Sequence, residues 1–305
     1  MSNDCWNRLP ADLQALMEEY GAKYCQYERE FNQQNDEEYL QLIQPYLSQA
    51  EIGMFLGYKN ATQPNVDLAA RYGLKFLRIG ANAGDGAGAC EGIRRVKAAG
   101  MKCRYSLMKA YVLSPKELAE EAKMLADCGL DEITIMDSAG TMMPHETEAY
   151  TKELVAAVDI PVAFHGHNNL GLSVANAIAA AEAGATVFDC GLLGMARSAG
   201  NCATELLVAT FQRLGYFKDI DLYKLLAFLD GELIPAMEEY NYHVAVKPFD
   251  LILGLAGCHS SFTKRFQNIA DEMGVPLYQL IVEVSKRDQK APSEELIRQI
   301  AADLV

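Results

Sequence analysis

The chain alternates short runs rich in β-branched and apolar residues with longer runs whose apolar positions recur at helical spacing. The short runs are AKYCQYE (22–28), EIGMFLGY (51–58), KFLRIG (75–80), KCRYSLM (102–108), EITIMDS (132–138), VAFHGH (162–167) and TVFDCG (186–191). Their starts are spaced by roughly 24 to 30 residues, the length of one strand, one helix and two short loops. The segments between them carry helix punctuation. SPKELAEEAKMLADCGL (114–130) opens with Ser114 as an N-cap and Pro115 at the first helical position, has acidic residues early, and stops at Gly129. LSVANAIAAAEAGA (172–185) has the same build from small residues and closes at Gly184. A glycine followed within three residues by a strand recurs at Gly21, Gly73, Gly100, Gly129 and Gly184, each read as a helix C-cap feeding the next strand.

Seven such units in succession predict an α/β fold of the (β/α)8 TIM-barrel type rather than a doubly wound sheet. The count falls one strand short of eight, and the shortage lies at the N-terminus. After about residue 210 the rhythm stops. DIDLYKLLAFLDGELIPAMEEY (219–240), SSFTKRFQNIADEMG (260–274), PLYQLIVEVSKRD (276–288) and PSEELIRQIAADLV (292–305) all have helical periodicity. They predict a helical C-terminal domain over 213–305, packed closely on a catalytic barrel domain over 1–212, since no low-complexity linker separates the two.

Charge and cysteine usage narrow the setting. A net charge of −14 over 305 residues argues against a nucleic-acid surface or an anionic membrane as the main partner. The one basic run, KRDQK (286–290), reads as a solvated helix end. The eight cysteines (5, 25, 90, 103, 128, 190, 202 and 258) form no CxxC pair and mostly sit in apolar stretches, so they read as buried free thiols of a reducing compartment. No stretch approaches the ~18 apolar residues of a membrane span, and MSNDCWNRLP has neither the basic nor the apolar region of a signal peptide. These features predict a cytoplasmic protein.

Candidate chemistry gathers in IPVAFHGHNNLGLSVANAIAAAEAGA (160–185), which places two of the five histidines, His165 and His167, two residues apart at the end of an apolar strand. Alternate residues of a strand share a face, so the imidazoles aim together. Strand C-termini carry the active site in parallel barrels, and two imidazoles there make a partial metal site that still needs a third ligand, a carboxylate by preference. The competing reading is a hydrogen-bonded structural pair. Other strand ends bring Asp137 and Ser138, Arg197 and Asn201, and Arg78, Asn82 and Asp85 to the same rim. Asp137 equally suits a helix N-cap or a partner for its own turn. The glycines of LRIGANAGDGAG (77–88) are a weak phosphate-loop signal and more often an ordinary βα loop.

FHGHNNLGLSVANAI, together with GLLGMARSAGNCATELLVA, resembles the 4-hydroxy-2-oxovalerate aldolases, metal-dependent (β/α)8 lyases of the superfamily that includes hydroxymethylglutaryl-CoA lyase and isopropylmalate synthase. The resemblance extends through ADCGLDEITIMDSAGTMMP into GCHSSFTKRFQNIADEMGVPLYQLIVEVSKR and covers essentially the whole chain. It implies that His165 and His167 bind a divalent ion, Mn2+ with Mg2+ or Co2+ as substitutes. It implies that Ser138 contacts the pyruvyl carboxylate and that Asn201 is the Asn of the glycine-rich loop. His259 falls where the family carries a tyrosine near the aldehyde, a candidate catalytic position. The implied reaction is cleavage of a 4-hydroxy-2-oxo acid to pyruvate and an aldehyde. The implied partner is an acylating aldehyde dehydrogenase.

The family's first strand ends in D-x-T-L-R-D-G, which supplies a third metal ligand and an arginine, whereas this chain begins MSNDCWNRLPADLQALMEEYGAKYCQYE, similar to the segment just after it. Three accounts follow: a shortened version of a longer protein, a strand supplied by a partner chain, or a non-catalytic relative. A Claisen-type acyltransferase or acyl-CoA lyase on the same barrel is a further alternative, disfavoured by the aldolase-like tail.

Overall fold

The computed structural model describes residues 37–196, 199–238, 262–288 and 292–304, with isolated positions between 248 and 258. Six of the strand candidates form one sheet: β1 (Gly53–Gly57), β2 (Phe76–Asn82), β3 (Lys102–Met108), β4 (Glu132–Asp137), β5 (Val162–Gly166) and β6 (Val187–Asp189). They are all parallel and lie in sequential order. The candidate strand 22–28 lies outside the described residues. A helix follows each strand: α1 (Gln63–Arg71), α2 (Cys90–Ala98), α3 (Pro115–Asp127), α4 (Pro144–Ala157), α5 (Ser173–Glu182) and α6 (Thr204–Arg213). This is the (β/α) barrel architecture the strand rhythm predicts.

The helix signals act as expected. Ser114 caps α3 in a capping box: its side chain accepts from the Glu117 N–H, and the Glu117 carboxylate accepts from the Ser114 N–H at 2.8 Å. Gly73, Gly100, Gly129 and Gly184 all adopt positive φ, between 80° and 107°, just after α1, α2, α3 and α5, which turns the chain directly into the next strand. Lys286 and Arg287 are exposed at the end of the helix Leu277–Ser285, Lys286 pairing with Glu283 at 2.6 Å, as a solvated helix end should.

Along each strand the outward residues, such as Leu77, Ile79, Cys103, Tyr105, Leu107, Ile133, Ile135 and Phe164, are buried beneath the helices. The inward residues fall into rows set by the strand register. A lower row holds Phe55, Arg78, Arg104 and Glu132. The next holds Gly57, Gly80, Ser106, Thr134, Ala163 and Val187, all small or modest in size. The uppermost, at the strand C-termini, holds Asn82, Met108, Met136, His165 and Asp189. The sheet curls far enough for β2 and β6 side chains to touch inside it, through Arg78 and Asp189.

The helices Leu222–Phe228, Thr263–Met273, Leu277–Ser285 and Glu294–Ala302 enclose a second core built on Leu226, Phe266, Leu280, Ile281, Val284 and Ile297. Helix α6 serves both cores. Leu207 and Phe211 face the barrel, while Val208 and Ala209 face the tail helices, so the two parts share one element with no linker between them. Among the described residues no helix is long and apolar enough to cross a membrane.

The cysteine expectation needs correction. Cys90, the first residue of α2, and Cys128, the C-cap of α3, form a disulfide with their Cα atoms 5.6 Å apart. They are 38 residues apart in sequence, and only the side-by-side packing of two helix ends brings them together. Cys103 and Cys202 are buried free thiols as expected, Cys258 is buried outside any disulfide, and Cys190 is exposed.

Candidate functional site

His165 is the inward residue at the top of β5, and His167 follows just beyond the strand. Their ring centroids are 5.2 Å apart with planes inclined by 64°, so the two imidazoles converge at the mouth of the barrel. The backbone holds His167 there from two sides. Its N–H donates to the Asp137 carbonyl at 3.2 Å, and it bridges to Asn201 in the β6–α6 loop. That loop is laced to the end of β5 by Cys202 N–H donating to Gly166 O and Asn168 N–H donating to Gly200 O. The buried Glu205 carboxylate accepts from the Leu193 N–H at 3.1 Å and fixes its far side.

A cavity of about 590 Å3 opens at this end, lined by Phe55, Arg78, Met108, Met136, His165, His167, Phe188, Asp189, Cys190, Ala196 and Asn201. Its walls are mainly apolar, with polar groups converging from β2, β5, β6 and the β6–α6 loop. Asn201 is thus brought to the imidazoles, its Oδ1 buried and without a hydrogen-bond partner among the described residues. Ser138 lies just past β4 and does not line the cavity; its Oγ accepts from the Lys109 N–H at 2.8 Å and so supports the neighbouring βα loop. His259 and Arg197 lie outside the described residues.

Two alternatives left by the sequence are resolved. The Asp137 carboxylate accepts from the Thr141 and Met142 N–H groups, both at 3.0 Å, so it holds its own turn, while the N-cap of α4 is Met143. Gly140 closes that turn at φ +60°, and a Cβ there would lie 2.6 Å from the His167 carbonyl oxygen. In the glycine-rich loop after β2, the Gly84 and Gly86 N–H groups donate to Glu121 at 2.8 and 2.7 Å. A protein carboxylate takes the place a phosphate would occupy, which makes this an ordinary βα loop.

The group that sequence reasoning missed is Asp189. It stands beside His165 in the uppermost row, and its Oδ2 lies 3.2 Å from His165 Nδ1. Arg78 grips the same carboxylate bidentately, with Nη2 donating to Oδ1 at 3.0 Å and Nη1 to Oδ2, and also reaches Glu132 at 3.1 Å. Arg78 therefore does not sit on the rim as expected. It rises from the lower row past Gly80. Burial works to raise the Asp189 pKa, but the hydrogen bonds from His165 and Arg78 and the arginine charge outweigh it and bring it down to about 2. Burial likewise works against the Arg78 charge, and Asp189 and Glu132 more than offset it. The signal available in the sequence was parity: in TVFDCG, Asp189 is the inward residue at the end of the strand next to HxH.

The pair fits two ligands of a divalent ion. With Nδ1 of His165 engaged by a carboxylate, Nε2 is left to coordinate, which is the usual arrangement for a metal-bound imidazole. Among the described residues no third His, Cys, Asp or Glu joins them in a ligand cluster.

Comparison with known proteins bears directly on this site. Residues 87–230 match the HMGL-like family and residues 244–305 the DmpG-like communication domain. The 4-hydroxy-2-oxovalerate aldolase of Carboxydothermus hydrogenoformans is 32% identical over 278 residues, 91% of this chain and 82% of the relative. That of Geobacillus thermodenitrificans is 33% identical over 268 residues, 87% of this chain and 78% of the relative. Among solved structures, the N-terminal domain of a putative aldolase from Bacteroides vulgatus superposes with a TM-score of 0.55 at 25% identity, covering 64% of this chain and 65% of that one. The carboxyl transferase domain of Rhizobium etli pyruvate carboxylase superposes with a TM-score of 0.61 at 17% identity, over 88% of this chain and 50% of that one, a likeness of fold. The chain belongs to the 4-hydroxy-2-oxovalerate aldolase family.

Proposed function

We propose that the protein is a divalent-metal-dependent aldolase that cleaves a 4-hydroxy-2-oxo acid to pyruvate and an aldehyde. The observation that carries this reading is the convergence of His165 and His167 at the mouth of a barrel whose sequence is 32% identical to such aldolases along 91% of its length. His165 and His167 would hold the cation, Mn2+ by preference, with Mg2+ or Co2+ as substitutes. When bound, the cation supplies Lewis-acid stabilisation to the pyruvate enolate formed as the C3–C4 bond breaks.

The chain's own residues do the rest. Asp189 Oδ2 lies 3.2 Å from His165 Nδ1. Asn201, in the loop bridged to His167, offers its amide to the oxo-acid end of the substrate. Ser138 supports the neighbouring loop at Lys109. Met108, Met136 and Phe188 supply apolar walls around the reacting carbons. Cleavage also requires a base for the C4 hydroxyl proton, and His259 is our candidate group on the aldehyde side.

The match of residues 244–305 to the DmpG-like communication domain supports an aldolase over an acyl-CoA lyase, and supports an acylating aldehyde dehydrogenase as the partner that receives the aldehyde. A barrel domain over 1–212 and a helical domain over 213–305 is the division we propose. The test is pyruvate release from 4-hydroxy-2-oxovalerate, followed by NADH oxidation with lactate dehydrogenase. One pyruvate and one acetaldehyde per substrate, dependent on Mn2+ and abolished by a chelator, supports the reading. No pyruvate in the presence of Mn2+ contradicts it.

A further inference from the structure

Arg78, Asp189 and His165 form a continuous line of contacts from β2 through β6 to β5, ending on one of the paired imidazoles. We propose that Asp189, itself held by Arg78, is a positioning residue that fixes the ring orientation and tautomer of His165. The inference rests on the reading of His165 as a cation ligand.

The chemistry follows from donors and acceptors. An ionised carboxylate only accepts hydrogen bonds, so a neutral His165 facing Asp189 through Nδ1 at 3.2 Å carries its proton there. Nε2 is then the unprotonated nitrogen, the one able to coordinate a cation. For this to hold, the carboxylate must not rotate. Arg78 supplies that constraint through its two-point grip, a planar fork matched to a planar carboxylate.

The barrel interior is arranged to let Arg78 reach so far. The row between Arg78 and the mouth consists of Gly57, Gly80, Ser106, Thr134, Ala163 and Val187, small enough for a long side chain to pass. Glu132 holds the guanidinium from a second side at 3.1 Å. The arginine therefore keeps a partner if Asp189 loses its charge, so an Asn at this position leaves a buried charge compensated and the fold intact.

Asp189→Asn is the informative variant because it changes donor capacity without changing shape. Nη2 of Arg78 keeps the amide oxygen at the Oδ1 position, which puts the amide N–H2 at the Oδ2 position towards His165 Nδ1 and costs the Nη1 hydrogen bond. A donor there selects the Nε2–H tautomer, the wrong one for coordination. A merely structural Arg78–Asp189 pair predicts no such reversal.

The experiment is long-range 1H–15N correlation NMR of the imidazoles in metal-free protein, at a pH where both rings are neutral, together with Mn2+ titration of the same samples. Wild-type His165 is expected as the Nδ1–H tautomer. Asp189→Asn is expected as Nε2–H, with Mn2+ binding weakened by about 10- to 100-fold and a cooperative melting transition that shows the variant folded. If the variant does not fold, the wild-type spectrum alone decides: an Nε2–H tautomer there overturns the proposal. Wild-type and variant that bind Mn2+ equally well overturn the positioning role while leaving the ligand reading in place. A wild-type chain that binds no Mn2+ overturns the ligand reading, and the positioning role falls with it.

Discussion

Arg78 on β2 and Asp189 on β6 are 111 residues apart in the chain, yet they close a bidentate ion pair inside the barrel, one oxygen of which also meets His165. Both side chains are largely buried, 14% and 19% exposed, so solvent screens the pair little. Removing the arginine takes from Asp189 the cation that grips both its oxygens. Arg78→Met is expected to lower unfolding free energy by about 3–5 kcal/mol, measured by urea titration. A loss within experimental error would mean the pair contributes nothing to the folded state.

Gly140 sits where the Asp137 turn passes under His167, at φ +60°. A methyl group there meets the His167 carbonyl oxygen at 2.6 Å, a contact that backbone on both sides must relieve. Gly140→Ala is expected to destabilise the protein by about 1–3 kcal/mol from the backbone conformation alone and to weaken Mn2+ binding by shifting His167. Thermal melting and a Mn2+ titration check both arms; an unchanged Mn2+ affinity in a folded variant would separate the turn from the site.

Reduction of the Cys90–Cys128 bond opens a loop spanning 38 residues between α2 and α3. The unfolded chain gains freedom, so dithiothreitol, or Cys128→Ser, is expected to cost about 2–4 kcal/mol of stability. Equal denaturation midpoints with and without reductant would show that the two sulfurs are not linked in solution.

Glu121 fastens the loop after β2 by accepting from Gly84 and Gly86. In Glu121→Ala those amides lose their acceptor, and hydrogen exchange at both is expected to accelerate about tenfold, the equivalent of about 1.4 kcal/mol. Exchange rates unchanged at Gly84 and Gly86 would contradict the anchoring.

The parts of this molecule legible in its sequence are those set by local rules. Strand parity, the Ser114–Pro115 helix start and the recurrent closing glycines each act within a few residues, and the six strands follow them. The same parity put His165 and His167 on one face. What escaped was decided by tertiary contact. Asp189 is an isolated acid until β6 comes to lie beside β5 and Arg78 arrives from across the barrel. Cys90 and Cys128 have no telling spacing, since their meeting depends on how α2 packs against α3. The glycines at 84 and 86 carried a phosphate-loop pattern that only the position of Glu121 explains away.

The claim beneath all of these is that His165 and His167 grip one divalent cation at the barrel mouth. Electron paramagnetic resonance of free Mn2+ titrated into the purified chain, beside His165→Ala and His167→Ala, tests it most directly. The account predicts one tightly bound Mn2+ per wild-type chain and at least a hundredfold weaker binding in each folded variant. Equal binding in all three proteins, or none in the wild type, would contradict it.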